Sequence, residues 1–391
     1  MVHGNFYEFF AGGGMVRAGL GKRWKCLFAN DFDPKKAGSY AQNWGNQTLH
    51  VGDVNLVRPE DLPGEADLVW ASFPCQDLSL AGAGAGLKGE RSGTFWPFWK
   101  LVKTLNAEGR GPTIIALENV CGALTSHGGK DFAAICSALE GQGYNFGALV
   151  IDAVRFLPQS RPRLFIIGVR ENVAIPQQMV TDVPSQAWHT SALLEAHSKL
   201  SRKCADRWVW WNLREPADRN TTFADVLEDN PDDVKWHTRE QTQTLLAMMS
   251  PVNKAKVEAA QRSGRRTVGT IYKRTRVEEA GVKAQRAEIR FDDIAGCLRT
   301  PAGGSSRQLI MVVEGRKIRS RLISSRETAR LMGLDENYIL PAKYNDAYHL
   351  TGDGVAVPVV RHLADTLFEP IIRGRRQDRE AAGVQVGQLK L

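Results

Sequence analysis

Asn5-Phe6-Tyr7-Glu8-Phe9-Phe10-Ala11-Gly12-Gly13-Gly14-Met15-Val16-Arg17-Ala18-Gly19-Leu20 is the stretch on which the fold turns. Residues 5–10 are mostly apolar and of strand length, three consecutive glycines interrupt them, and 15–20 reads as a helix. A strand that enters a helix through glycines lets backbone N–H groups and the helix N-terminus approach a ligand closely. A second strand over 25–30 ends at Asn30-Asp31, where a carboxylate is placed to grip ribose hydroxyls. The dinucleotide fingerprint is not met, because Arg17 stands at the third glycine position, which serves close helix packing beside a pyrophosphate. The pattern points to a nucleoside cofactor, although a purely structural turn uses the same glycines.

Working outward, the first 170 residues alternate short apolar runs with helical patterns, as strands and helices of a parallel sheet do. Strands are expected over 5–10, 25–30, 66–72, 113–118, 147–153 and 164–169, with a short one before Gly52-Asp53. Helices are expected over 15–20, 34–43, 95–105 and 131–139. After Arg170 the texture becomes polar and rich in tryptophan (Trp188, Trp208, Trp210, Trp211, Trp236), and a second domain is expected to begin there. Regular structure returns with a capped helix over 325–333 and another over 355–368, and the charged, glycine-containing 373–391 reads as a frayed tail.

The 391 residues, 43% of them hydrophobic, can bury a large core and suit two domains. No run of eighteen apolar residues occurs, and Met1-Val2-His3-Gly4-Asn5 lacks the basic-then-apolar order of a signal peptide, so a cytoplasmic protein without a membrane partner is expected. Six scattered cysteines form neither a zinc knuckle nor a CxxC pair, and no metal site is expected. A net charge of +8 favours a polyanionic partner. Between Asn253 and Arg290 eleven Lys or Arg stand against four Glu. Gly264, Gly269 and Tyr272 give that tract the look of nucleic-acid-binding loops, against the plainer reading of a solvated helix face.

Phe73-Pro74-Cys75-Gln76 follows the apolar run 66–72. Proline fixes its own φ and biases Phe73 toward extended geometry, so the strand ends sharply and Cys75 enters a restrained loop. That suits a nucleophile, but a free cysteine more often packs as a small hydrophobe. Its company separates the two. In chain order stand the glycine turn, Pro74-Cys75-Gln76, the strand-end Glu118-Asn119-Val120, and Gln159-Ser160-Arg161-Pro162-Arg163 leading into another strand.

These motifs resemble those of the DNA cytosine-5 methyltransferases, of single-chain bacterial or phage type. Further matches are Gly52-Asp53, the segment 296–307 with Gly303-Gly304, Arg326-Glu327 with 329–333, and Gly352-Asp353-Gly354-Val355. Only about 171–290 falls outside the resemblance. It implies an α/β fold: a Rossmann-like catalytic domain over 1–171, completed by 345–372, and a smaller, mostly irregular or β target-recognition domain with its hinge over 172–344. It implies S-adenosylmethionine as cofactor, held by Phe10, Ala11, Gly12, Gly14, Asp31, Phe32, Asp53, Pro74, Phe95, Asp353 and Val355. It also implies catalysis by Cys75 at cytosine C6, with Glu118 at the Watson–Crick edge and Arg163 and Arg161 at the base's O2. Duplex DNA is the expected partner, touched by Gln76, Ser79, Arg265, Arg266, Lys273, Arg274 and Arg276. The target base must leave the stack to be reached, and the glycine-alanine loop 81–89 is expected to close over it.

Met15 replaces a further glycine of many relatives, and Asp353 replaces the usual asparagine, which adds a negative charge near the cofactor end. A monomer is expected, with a cognate restriction endonuclease acting separately as a further partner. An RNA-modifying branch of the family carries a Cys-Phe-Thr tripeptide, which does not occur here. A DNA-binding homologue without catalysis has no need of Cys75 and Glu118 together. The target sequence is not legible in 171–290, since no code maps loop sequence to site.

Overall fold

A computed structural model describes residues 4–74, 94–277, 281, 283–300 and 306–388, the last ten for backbone only. The chain forms two compact units: Met1–Ile151, Pro162–Pro216 and Val357–Leu391 in one, Asp152–Arg161 and Ala217–Ala356 in the other.

The first unit is built on alternating elements: β1 (Gly4–Phe9), α1 (Met15–Leu20), β2 (Trp24–Asp31), α2 (Pro34–Trp44), β3 (Leu49–Val51), β4 (Leu68–Ala71), α3 (Phe95–Ala107), β5 (Ile114–Val120), α4 (Lys130–Glu140), β6 (Tyr144–Asp152) and β7 (Pro162–Arg170). The seven strands lie in the order β3-β2-β1-β4-β5-β7-β6. β1 runs parallel to β2 and β4, and β4 parallel to β5. β4 is buried throughout and β5 over all but its last residue, as strands covered on both faces are. Phe9, Phe28, Phe73, Phe95, Phe98 and Trp99 belong to one continuous core.

Two expectations change here. The sheet is mixed, not wholly parallel, because β7 pairs antiparallel with β5, Glu118 opposite Phe165 and Val120 opposite Arg163. The short link 153–161 is too brief for the crossover that a parallel neighbour of β6 needs. The tryptophan-rich segment also stays with the first unit. Its β8 (Val180–Thr181), α5 (Ser191–Ser198), α6 (Arg202–Asp206) and β9 (Trp210–Trp211) cover the sheet edge at β6. Phe146 N–H donates to the Arg207 carbonyl at 3.0 Å and Val150 N–H to that of Trp188 at 2.8 Å. An edge strand leaves backbone groups unpaired, and burying Trp188 and Trp211 brings this cover onto them.

The second unit holds α7 (Phe223–Val226), α8 (Arg239–Ala247), α9 (Pro251–Arg262), β10 (Arg266–Val277), β11 (Lys283–Arg290), β12 (Leu309–Glu314), β13 (Lys317–Leu322), α10 (Ser325–Leu331) and α11 (Tyr344–Asp353). An antiparallel sheet, β11-β10-β12-β13, packs Ile271, Ile289, Met311 and Val313 with Leu245 of α8, Val257 of α9 and Met249 of the link between them. Of the two textures expected for this domain, irregular or β, the sheet is the one found. Arg321 and Glu327 form a fully buried ion pair, 2.6 Å apart. Glu327 also closes the capping box of α10 with Ser324.

The chain then returns to the first unit as α12 (Val357–Leu363), a π-helical turn (Ala364–Phe368) and α13 (Glu369–Gln388). The expected frayed tail is helical to Gln388. Its start is fastened by Glu369, which meets Arg23 at 3.0 Å and accepts from the Trp24 indole at 3.2 Å. Arg375 reaches Asp67 at 3.4 Å. Gly19 lets α12 approach α1 closely: a Cβ there would lie 2.5 Å from Val360 Cβ.

Candidate active site

The strand order reverses between β1 and β4, and in an open α/β sheet the crevice beyond the carboxyl ends of such strands is where ligands bind. At the end of β1 the chain folds into a tight turn, with φ of +59° at Phe10, +55° at Gly12 and +76° at Gly14. Ala11 N–H donates to the Asn30 carbonyl at 2.9 Å, and Gly12 N–H to Asp31 Oδ2 at 2.7 Å. Asn30 in turn donates to the carbonyls of His50 and Gly52, tying the ends of β2 and β3 together. The glycines of the turn serve different ends. A Cβ on Gly12 would meet nothing within 4 Å, whereas one on Gly14 would lie 2.4 Å from Trp44 Nε1. Gly12 thus opens a cradle, while Gly14 makes room for a neighbour in the fold.

Asp31 is nearly buried, and burial pushes its carboxyl above the ordinary value, against the pull of the Asp33 and Gly12 N–H groups and Lys36. Next to it Phe32 is 73% exposed, a free aromatic face at the strand end. Gly52 N–H donates to the Asp31 carbonyl at 3.0 Å, which brings Asp53 to the same end of the sheet. There Asp53 accepts from Asn55 N–H at 2.9 Å. Beneath the turn, Glu8 is fully buried in β1. Burial pushes its carboxyl up to about 8, offset in part by Arg17.

The ends of β4 and β5 meet the same crevice. Asn119 Nδ2 donates to the Phe73 carbonyl at 3.2 Å, fixing the backbone that leads into Pro74. The neighbouring Glu118 is buried, and Arg163 Nε stands 3.3 Å from its Oε1. The antiparallel β5–β7 register explains this pairing across adjacent strands. Cys75, Gln76, Ser79 and the loop 81–89 lie outside the described residues.

Several expected site residues have other surroundings. Phe95 is fully buried against Phe73, Phe98 and the stacked Trp99, so core packing, not an open cofactor wall, is its setting. Arg161 belongs to the second unit, buried, with Nη2 donating to the carbonyls of Gly352 and Gly354 at 2.7 Å each and Nη1 to Cys297 Sγ at 3.3 Å. It clamps backbone segments together. Asp353 and Val355 lie in that unit too: Asp353 accepts from the Thr300 hydroxyl, and Val355 is buried. The sequence reading missed the bracing roles of Asn30, Asn119 and Trp44, which depend on pairings across the sheet that local pattern does not carry.

The basic tract is a helix and a hairpin rather than loops. Arg266 pairs with Asp229 at 2.8 Å, and Arg274 and Arg276 pair with Glu288 at 3.5 and 2.5 Å. A cleft of about 290 Å³ in the second unit is lined by Lys256, Tyr272, Arg274, Glu288, Arg290 and Arg299, among others. Lys273 is half-buried, its N–H donating to Ser306 Oγ at 3.0 Å. Arg265 and Arg299 are exposed and have no carboxylate partner among the described residues.

Residues 4–369 match the family of C-5 cytosine-specific DNA methylases. The chain belongs to that family. Its curated relatives include the Type II methyltransferase M.BsuFI of Bacillus subtilis, 26% identical over 376 residues that cover 95% of this chain and 74% of the relative. M.HpaII of Haemophilus parainfluenzae is 24% identical over 385 residues, covering 94% and 89%. Among solved structures, Dnmt2 of S. pombe shares the fold with a TM-score of 0.57 at 17% identity, covering 94% of this chain and 99% of that one. The methyltransferase EhMeth of Entamoeba histolytica does so with 0.59 at 14%, covering 94% and 98%. The chain is thus a DNA (cytosine-5-)-methyltransferase, a mixed α/β enzyme. Among its described residues no helix is long and apolar enough to cross a membrane.

Proposed function

We propose that the chain methylates C5 of a cytosine rotated out of duplex DNA, using Cys75 as nucleophile and S-adenosylmethionine as donor. The observation that carries this reading is the cluster of Glu118, Arg163 and Asn119 at the strand ends that lead into Pro74. Attack of the Cys75 thiolate on C6 would form an S–C6 bond and load electron density onto C5. Glu118 would hold N4 and share a proton with N3, taking up the negative charge that attack creates. Arg163, already beside Glu118, would hold O2. Once C5 is methylated, loss of its proton restores the C5–C6 double bond and expels Cys75.

The crevice fits the cofactor, since Gly12 leaves an open cradle between Phe10 and the buried Asp31, with Phe32 exposed beside them. S-adenosylmethionine, when bound there, supplies the methyl group. Phe10, Ala11 and Gly12 would line its methionine part, Asp31 would accept from the ribose hydroxyls, Phe32 would stack on the adenine and Asp53 would accept from its amino group. Arg161, Asp353 and Val355 would act by holding the second unit in shape, since the partners described for Arg161 and Asp353 lie within that unit. DNA would lie along the cationic cleft, with Arg265 and Arg299 as its most available phosphate contacts. A monomer in the cytoplasm, working beside a separate restriction endonuclease, is in keeping with the Type II relatives.

The test is to incubate the protein with labelled S-adenosylmethionine and genomic DNA, map methylated cytosines at base resolution, and repeat with Cys75→Ala. Sequence-specific C5 label that the variant abolishes is the expected result. Label in RNA alone, or undiminished labelling by the variant, would overturn the reading.

A further inference from the structure

The glycine turn leans on a residue outside it. Trp44, the last residue of α2, donates its indole N–H to the Gly13 carbonyl at 3.1 Å. The same indole fills the space where a Cβ on Gly14 would stand, 2.4 Å from Nε1 and 2.7 Å from Cδ1. Arg17 of α1 lies over the Trp44 ring at 5.4 Å and over Tyr40 at 5.8 Å, and donates to the Tyr40 hydroxyl at 3.0 Å. In a dinucleotide fold the residue at position 17 is a glycine that lets helix and strand pack closely. Here an arginine occupies it, and α1 is held to α2 by cation–π stacking instead.

We propose that Trp44 is the positioning residue of the cofactor turn. Its N–H fixes the orientation of the Gly13 peptide, and its ring sets how far the turn can relax at Gly14. Gly12, whose surroundings are open, is left to face the ligand. Gly13 has no side chain to hold its peptide plane, so a donor on its carbonyl restricts a unit that glycine otherwise leaves free. The proposal rests on the turn being the S-adenosylmethionine site.

Two replacements separate the tether from the packing: Trp44→Phe, which keeps an aromatic ring under Arg17, and benzothienylalanine at position 44, which keeps the bicycle and lacks only the N–H. The full chain is titrated calorimetrically with S-adenosylmethionine and with S-adenosylhomocysteine, and kcat and the KM for the cofactor are measured alongside the melting temperature. Both variants should bind the two ligands roughly fivefold more weakly, the worth of one hydrogen bond. KM should rise by the same factor, with kcat at saturation and melting temperature little changed. Parent-like affinity in the benzothienyl protein overturns the proposal, as does a lowered melting temperature with unchanged affinity. Failure of the parent itself to bind either ligand overturns the assignment of the turn as the cofactor site, and this proposal with it.

Discussion

Asn119 Nδ2 and the carbonyl oxygen of Phe73 are 3.2 Å apart, so the end of β5 holds the backbone that leads into Pro74. Glu118, one residue earlier on the same strand, meets Arg163 across the β5–β7 pairing. One strand end thus fixes the backbone before Pro74 and also carries Glu118, the acid of the proposed mechanism.

Asn119→Ala should therefore slow methyl transfer without abolishing folding. Misplacing a reacting group by about 1 Å costs on the order of 10²-fold in rate. The expected outcome is a loss of that order in kcat, with cofactor affinity unchanged. Turnover equal to the parent's would show that Phe73 is held by something else.

Glu118→Gln keeps the shape of the side chain and removes its capacity to ionise. A drop in kcat of roughly 10²-fold or more is expected, in the range of general acid–base contributions. DNA binding by gel shift should remain. Replacing Arg163 by lysine should also lower kcat, because an ammonium cannot reproduce the planar fork of a guanidinium.

Glu8 makes stability depend on pH. Its carboxyl is pushed from 4.5 up to about 8 by burial. Between those values the folded chain keeps a proton that the unfolded chain has released, so stability falls as pH rises through the window and the loss is complete above about 8. The slope approaches about 1.4 kcal/mol per pH unit if this group acts alone. Glu8→Gln, neutral throughout, should show a shallower fall in melting temperature from pH 5 to 8 and be the more stable protein at pH 8. Parallel curves for the two proteins would reject the assignment.

The salt dependence of DNA binding should report which cations are free. Arg299→Ala and Arg265→Ala should each reduce the slope of log K against log salt by about one. Arg266→Ala should change it less, because Arg266 is already paired with Asp229 and Glu314. Equal effects at all three positions would contradict that ranking.

The strand–turn–helix alternation of the first 170 residues is close to fully legible, because strand ends are marked by glycine, proline or a single acid in apolar runs. What escapes local reading are the partners chosen across the chain. Nothing in Pro162–Arg170 announces that it will lie antiparallel to β5, and nothing near Trp188 or Trp211 says that these rings will cover β6 rather than open a new domain. Arg161 and Arg163 have the same alternation as two arginines on one face. Yet Arg163 meets Glu118, while Arg161 turns to the carbonyls of Gly352 and Gly354, nearly two hundred residues on. The charge run 253–290 shows the same limit: composition counts its charges but not which of them pair, Arg274 and Arg276 with Glu288 and Arg266 with Asp229 outside the run.

The first unit is assembled from three separated stretches, the last beginning at Val357. During synthesis the strands of its sheet emerge early, but α12 and α13 follow only after 217–356 has been made, a delay on the order of ten seconds at about 5–20 residues per second. Until then the surface of Asp67, Thr113 and Trp24 that receives Arg375 and Glu369 stays uncovered on the nascent chain. The crevice end of the sheet is complete in sequence long before its opposite side is sealed, so a chaperone that shields this sheet would have to release it only when the C-terminal helices arrive.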